Sequence, residues 1–336
     1  MKKIVAILLS LALVFALVAC TANESKPNNS EKKDITLCLD WTPNTNHTGF
    51  FVAAAKGYYE QAGLNVSIVQ PAESSASLMC ASGKAQFAIE FQDTLAPAYA
   101  QAQPLDVTAV AAILQHNTSG IISRKGDSIN TPKGLEGKTY NTWDSPVEQA
   151  IIKSVMKNDG GDFSKVKLVK EEIYDEASAL KNKDVDAIWI FYGWGGIAAE
   201  LREDFEFDYF DFISINKVFD YYTPVIIANN EFLKNDPETA KAFLAATQKG
   251  YEYAVENPEE AAQILVDGDT TGSLKDSIEL VTASQKWISK QYIADADKWG
   301  VIDPSRWDGF YSWLWENKLV DVELKPGTGF SNDYLS

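Results

Sequence analysis

Histidine and cysteine are both scarce: two histidines, His47 and His116, and three cysteines in 336 residues. Neither histidine has a second histidine or a cysteine pair at ligand spacing, so a zinc or iron site is not expected. Cys20, Cys38 and Cys80 are too few for a disulfide framework. Cys38 falls in an expected strand and Cys80 in an expected helix; both read as small buried hydrophobes, with a bridge between them left open. Basic residues are also short, 30 Lys and Arg against 47 Asp and Glu, a net charge of −17. A surface of that sign argues against nucleic acid, whose phosphates need a basic face. No Gly-x-Gly-x-x-Gly follows a strand, and neither Gly-x-x-x-x-Gly-Lys-Ser/Thr nor Gly-x-Ser-x-Gly occurs, so phosphate loops and a nucleophile elbow are missing. The longest apolar run, Ile4 to Ala19, falls short of the roughly 20 residues of a membrane-spanning helix.

That run follows Lys2 and Lys3 and ends before Cys20, the layout of a secretory signal over residues 1–19. Residues 20–33 are polar, cannot bury a core, and read as a flexible tether. The remaining chain, at 46% hydrophobic and 12% aromatic content overall, is globular and long enough for two lobes.

The chain is organised around Leu39-Asp40-Trp41-Thr42-Pro43-Asn44-Thr45-Asn46-His47-Thr48-Gly49. The alternating segment before it reads as a strand. Phe50 to Tyr59 reads as a helix closed near Gly57. A strand that empties into a polar loop before a helix is where open α/β sheets hold ligands. Trp41 offers a flat stacking face there, and Asn44 and His47 offer hydrogen bonds. Strands are also expected at Asn65–Val69, at Gln86–Asp93 (strand and exit loop together), at Val107–Leu114 and, after Gly120, at Ile121–Arg124. Further strands are expected near Tyr140, Val166–Val169, Val185–Phe191, Asp211–Ile215 and Pro224–Ala228, with helices between them. Ser74 and Ser75 precede a helix as caps and are second-rank site residues. Ser145, Pro146 and Glu148 form a capping box. From Asn235 the chain turns helical: Pro237 to Tyr253, Pro258 to Val266 and Leu274 to Ile288. The late tryptophans, Trp287, Trp299, Trp307, Trp313 and Trp315, read as packing.

The pattern is α/β, each lobe a mostly parallel sheet flanked by helices, with a helical C-terminal part; the arrangement resembles the two-lobed, type II periplasmic-binding-protein-like fold. Lobe one takes residues 34–120 plus 224–336 and lobe two 121–223, so the chain crosses twice and makes a hinge.

Leu39 to Gly49 resembles the opening motif of the thiamine-pyrimidine-precursor binding proteins, ThiY-like members of the NMT1/THI5-like group. Gln115-His116-Asn117-Thr118-Ser119-Gly120 is a second motif of this kind, and matches run along nearly the whole mature chain. Leu17-Val18-Ala19-Cys20 resembles a bacterial lipobox, which implies lipidation of Cys20 and an extracytoplasmic, membrane-anchored protein. The resemblance implies ligand contacts at the end of the third strand, on Glu90 and Gln92. ThiY-like proteins resemble Phe-Tyr-Ala-Trp-Glu-Gly-Ile where this chain has Phe191-Tyr192-Gly193-Trp194-Gly195-Gly196-Ile197; Gly195 stands in place of the glutamate. A eukaryotic branch of the family consumes its own histidine and a lysine-held pyridoxal phosphate. Ile89 to Leu95, the matching segment here, has neither Lys nor His.

The expected site gathers strand-exit residues: Trp41, Asn44, His47, Gln92, His116, Asn117, Thr118, Trp143, Ser145, Glu148, Tyr192, Trp194, Tyr221 and Tyr222. Rings from two lobes suit a flat heterocycle, and amide, imidazole and carboxylate groups suit its ring nitrogens and amine. The implied protein is a substrate-binding component of an ABC importer, not an enzyme. It takes a formylaminopyrimidine-type ligand without a cofactor or metal, and its partners are a permease with its ATPase and, through the lipid anchor, the membrane. Riboflavin, another heterocycle or a sulfonate are alternative cargoes, and a pyrimidine-synthase-type enzyme is a further alternative. A sulfonate would want arginine near the cleft, where only Arg124 and Arg202 lie close in sequence.

Overall fold

Ten strands arrange themselves in two five-stranded sheets in a computed structural model that describes residues 32–71 and 75–335. The expected signal segment, Cys20 and Ser74 lie outside the described residues. The first sheet holds β1 (Lys33–Cys38), β2 (Leu64–Val69), β3 (Phe87–Glu90), β4 (Val107–Ala112) and β10 (Val225–Asn229), in the order β2-β1-β3-β10-β4. The second holds β5 (Ser119–Arg124), β6 (Thr139–Asn141), β7 (Lys167–Val169), β8 (Ala187–Phe191) and β9 (Phe207–Asp211), in the order β7-β6-β8-β5-β9. Lys33, expected in the tether, is the first residue of β1; it faces Leu64 and its Nζ donates to Asp236 at 2.6 Å.

One strand in each sheet runs against its neighbours: β10 is antiparallel to β3 and β4, and β5 to β8 and β9. The remaining strands of each sheet share one direction. The reversed strands are those that arrive from the other sheet. The chain leaves β4 at its C-terminal end and enters β5 after six residues, so β5 starts where its neighbours finish. The return from β9 to β10 obeys the same constraint.

Among the expected boundaries that differ, two have a visible local cause. The strand expected at Asp211–Ile215 lies at Phe207–Asp211 instead, because the Asp211 carboxylate accepts from Ser214 N–H at 2.7 Å and turns the chain. The helix expected from Leu274 begins at Ile278. Asp269 holds Thr271, Ser273 and Leu274 in a turn, accepting from Leu274 N–H at 2.8 Å.

Alternate residues of the first sheet face opposite layers, as a period of two requires. Ile35, Leu37, Phe87, Ile89 and Ile226 pack with Phe50, Phe243 and Tyr251. Cys38, Ala88, Ala112, Val225 and Ile227 pack with Leu95, Trp307 and Phe310. Trp299 and Trp307 are fully buried, whereas Trp315 is partly exposed. Cys38 and Cys80 are both buried and free; burial pushes the Cys38 thiol up to about 11.

The helix Thr48–Ala55, which the opening loop feeds, crosses Pro237–Glu256 at two glycines. A Cβ on Gly49 would stand 2.3 Å from the Tyr251 ring, and one on Gly250 would stand 2.0 Å from Gly49 O. Only hydrogen fits at either position. Among the described residues no helix is long and apolar enough to cross a membrane.

Candidate functional site

A cavity of about 440 Å³ opens where the two sheets meet, within the size range of small-molecule sites. Its wall is built from strand ends. The first sheet supplies Asp40 and Trp41 after β1, Phe91 after β3, Leu114 after β4, and Thr223 and Pro224 before β10. The second supplies Thr118 before β5, Asn141 and Trp143 at β6, and Ile188 to Phe191 at β8. Glu176, Tyr174, Trp194 and Gly195 complete that side. The reversed strands therefore start, and the forward strands finish, at one place.

The opening loop is held by its own side chains and by two helices. Asn44 Oδ1 accepts from Asn46 N–H at 2.9 Å, and Asn44 N–H donates to His47 Nδ1 at 3.2 Å. An accepting Nδ1 assigns the proton to Nε2, which donates to Asp40 Oδ1 at 2.7 Å. The Tyr251 hydroxyl donates to Asn46 O at 2.7 Å, and the Tyr292 hydroxyl to Thr45 O at 2.5 Å. Thr45 and Ser284 hydroxyls share a hydrogen bond at 2.6 Å, while Ser284 also reaches Gly193 O on the opposite side. Helix Ile278–Ile288 thus touches loops of both sheets. Trp41 is left 53% exposed at the rim.

Across the cavity, Trp143 is 47% exposed and its ring leans on Trp189 at 5.2 Å. The buried Glu148 carboxylate sets its position. It accepts from the Tyr140 hydroxyl at 2.5 Å, from Thr142 Oγ1 at 2.8 Å and from Trp143 N–H at 3.1 Å. Ser145 caps the helix Pro146–Asn158 in the expected capping box.

Of the residues expected from the sequence, Trp41, Asn44, Thr118, Trp143 and Trp194 lie on the cavity wall. The other nine lie off it, each for a packing reason. His47 is wholly buried behind Asp40. Gln92 is wholly buried, donating to Trp307 O at 2.9 Å and accepting from Tyr222 N–H at 2.9 Å. His116 bridges Asp220 and Asp295, both at 2.8 Å. Asn117 donates to Phe219 O at 2.8 Å and accepts from Ser119, tying one crossing to the other. Ser145 and Glu148 are consumed by the capping box. Tyr192 turns outward onto Tyr209 and Trp287, with its hydroxyl on Glu200. Tyr221 stacks on Phe310 at 4.1 Å, and the Tyr222 hydroxyl accepts from Asp303 N–H at 2.8 Å. Glu90, expected through the family resemblance, is also off the wall, bonded to Thr94 and Phe91 N–H.

Wall residues that sequence reasoning missed include Asp40, Phe91, Asn141, Tyr174, Glu176 and Trp189. Asp40 carried a usable signal, since it lies in the loop that leaves β1. Glu176 carried none, because an acidic first turn is ordinary for any helix.

Asp40 and Glu176 are the titratable carboxylates on this wall, and among its described residues there is no lysine, arginine or histidine. Burial holds the Glu176 carboxyl above its ordinary range, and the neighbouring Asp175 charge adds to this. Among the described residues no three His, Cys, Asp or Glu groups come together to hold a metal ion. Flat aromatic faces with acceptors and without cations suit an uncharged or basic heterocycle.

Comparison with known proteins agrees in fold and in lineage. The chain is 27% identical over 333 residues to the formylaminopyrimidine-binding protein of Halalkalibacterium halodurans, covering 99% of each. It is 26% identical over 317 residues to a 4-amino-5-hydroxymethyl-2-methylpyrimidine phosphate synthase of Legionella pneumophila, covering 91% of this chain and 94% of that one. The periplasmic aliphatic sulphonate binding protein SsuA of Escherichia coli has a similar structure. Its TM-score is 0.65 at 13% identity, covering 87% of this chain and 90% of that one. This shows the two-lobed α/β fold of periplasmic binding proteins. The model of the family described as NMT1/THI5 like matches residues 44–261, most of the chain, and the protein belongs to that family.

Proposed function

We propose that this protein is the substrate-binding component of an ABC importer and captures an aminopyrimidine precursor of thiamine, of the formylaminopyrimidine type, between its two lobes. The observation that carries this reading is the cavity wall: rings from both sheets, two carboxylates and no basic side chain among its described residues. A sulfonate would meet two acidic groups there and no cation. Arg124 pairs with Asp186 and Asp127, and Arg202 with Asp175 and Asp204, so neither is free to serve one. The whole-length similarity to a formylaminopyrimidine-binding protein supports the same cargo. Lobe one, expected over residues 34–120 and 224–336, takes in Lys33 with β1 and cedes Ser119 and Gly120, which lie in β5, to lobe two. Residues 1–19 direct export, and a lipidated Cys20 anchors the mature chain outside the cytoplasmic membrane. The ligand closes the lobes only by contacting both better than either alone, and the closed form is what a permease with its ATPase receives.

The test is direct. Formylaminopyrimidine, riboflavin and an alkanesulfonate are titrated into the purified protein while tryptophan emission and thermal unfolding are followed. Formylaminopyrimidine should quench emission and raise the melting temperature. A response to the sulfonate alone would overturn the reading.

A pyrimidine synthase is the second reading, favoured by the synthases among the relatives. Chemistry of that kind would place a lysine or histidine at the cavity, and the described wall has neither. Mass spectrometry after incubation with pyridoxal phosphate and iron decides it, because a synthase that consumes its own histidine changes mass.

A further inference from the structure

The two carboxylates on the cavity wall are not equivalent. Asp40 Oδ1 is already engaged by His47 Nε2–H at 2.7 Å. Glu176, at the start of the helix Glu176–Asn182, accepts from no other residue among the described ones. Arg202, which pairs with the adjacent Asp175, is committed there: it reaches Asp175 at 3.1 Å and Asp204 at 3.2 Å. A half-buried carboxyl whose one donor is its own backbone N–H has acceptor capacity left over, which a donor inside the cavity can fill.

Gly195 explains why the space before it stays open. A Cβ there would stand 3.7 Å from Glu176 Oε1 and 3.1 Å from Ile190 Cγ2. The glycine is not required by its own backbone, because it has no left-handed φ. What it provides is room, over an apolar floor made by Ile190. A hydrogen bond to a carboxyl in such surroundings is stronger than in water.

We propose that Glu176 is the specificity-determining acceptor of this cavity, taking the exocyclic amino group of an aminopyrimidine whose ring lies in the space that Gly195 leaves open. This inference rests on the reading of the cavity as a heterocycle site. It assigns the discrimination to one contact. An amino group donates to Glu176, whereas an oxo group in its place turns a lone pair towards the carboxyl and is rejected.

The experiment compares the full chain with Glu176→Gln and Glu176→Ala, each titrated calorimetrically with formylaminopyrimidine and with its 4-oxo counterpart. Wild type should prefer the amino compound by about 10- to 100-fold, the range of one hydrogen bond to a charged group. Both variants should lose most of that preference while unfolding at the wild-type temperature. Gly195→Leu, which fills the space without adding or removing a charge, should weaken the amino compound as well. Undiminished preference in the folded Glu176 variants overturns the assignment and leaves the heterocycle reading standing. Wild-type protein that binds neither compound overturns that reading, and the assignment with it.

Discussion

His47 Nε2 donates to Asp40 Oδ1 at 2.7 Å, and its Nδ1 accepts from Asn44 N–H at 3.2 Å. The imidazole is therefore a spacer with a fixed tautomer: it presents Asp40 to the cavity and holds the turn that presents Asn44. His47→Ala removes both bonds from a fully buried position. The expected result is a loss of about 2–4 kcal/mol in denaturant unfolding, with weaker formylaminopyrimidine binding. His47→Gln should restore part of each. Wild-type stability in His47→Ala would show that the network does not hold the loop.

Trp41 and Trp143 face the cavity from opposite sheets and are about half exposed. Removing either ring should leave unfolding within about 0.5 kcal/mol of wild type. Formylaminopyrimidine affinity should fall about tenfold, the scale of a lost aromatic contact. A fluorescence titration of each alanine variant measures this. Unchanged affinity in Trp41→Ala would remove the opening loop from the site.

Gly49→Ala drives a methyl group into the Tyr251 ring, where the ideal Cβ stands 2.3 Å from Cδ2. Overpacking of this kind costs about 1–3 kcal/mol, and the affected helix begins one residue before Gly49. The midpoint of urea unfolding should fall accordingly. An unchanged midpoint would show that the two helices slide apart freely.

His116 supplies a pH dependence. Its hydrogen bond to Asp220, the Asp220 charge and the further bond to Asp295 raise its pKa above the usual value, against burial and the Arg306 charge. A raised folded pKa means that the folded chain holds this proton more tightly. The stabilisation is complete below the unfolded value, near 6.5, and disappears as pH rises through the folded one. Melting temperature measured from pH 5.5 to 8.5 should therefore decline towards the alkaline end. His116→Gln should flatten that decline. Burial also pushes Asp93 up to about 7, which adds a fall of the same sign in both proteins, so the difference between them isolates the histidine.

How much of this was legible in the sequence depended on how local the cause was. The Ser145–Glu148 capping box, the β1–loop–helix order and the helix beginning at Pro237 rest on neighbours in the chain, and they stand in the structure. The meeting of strand ends followed from the α/β pattern. Which side chains face the cavity did not, because that is decided by partners far away in sequence. Gln92 is claimed by Trp307, and His116 by Asp295, more than 170 positions along the chain. Tyr192 lost its expected place because the chain coils into a wide π-type turn over Tyr192–Gly196, which breaks the strand alternation and rotates the ring outward. Glu176 entered the wall from the first turn of a helix, where an acidic residue is ordinary and signals no site.

The two reversed strands have a mechanical consequence. Since β5 and β10 both begin at the cavity, the two connecting segments leave it close together, and Asn117 ties the first to the second through Phe219 and Asp220. A pair of straps fastened side by side yields to bending more readily than to torsion. The motion expected of such a pair is opening and shutting rather than swivelling, which would keep the indoles of Trp41 and Trp143 facing each other like the tips of tweezers.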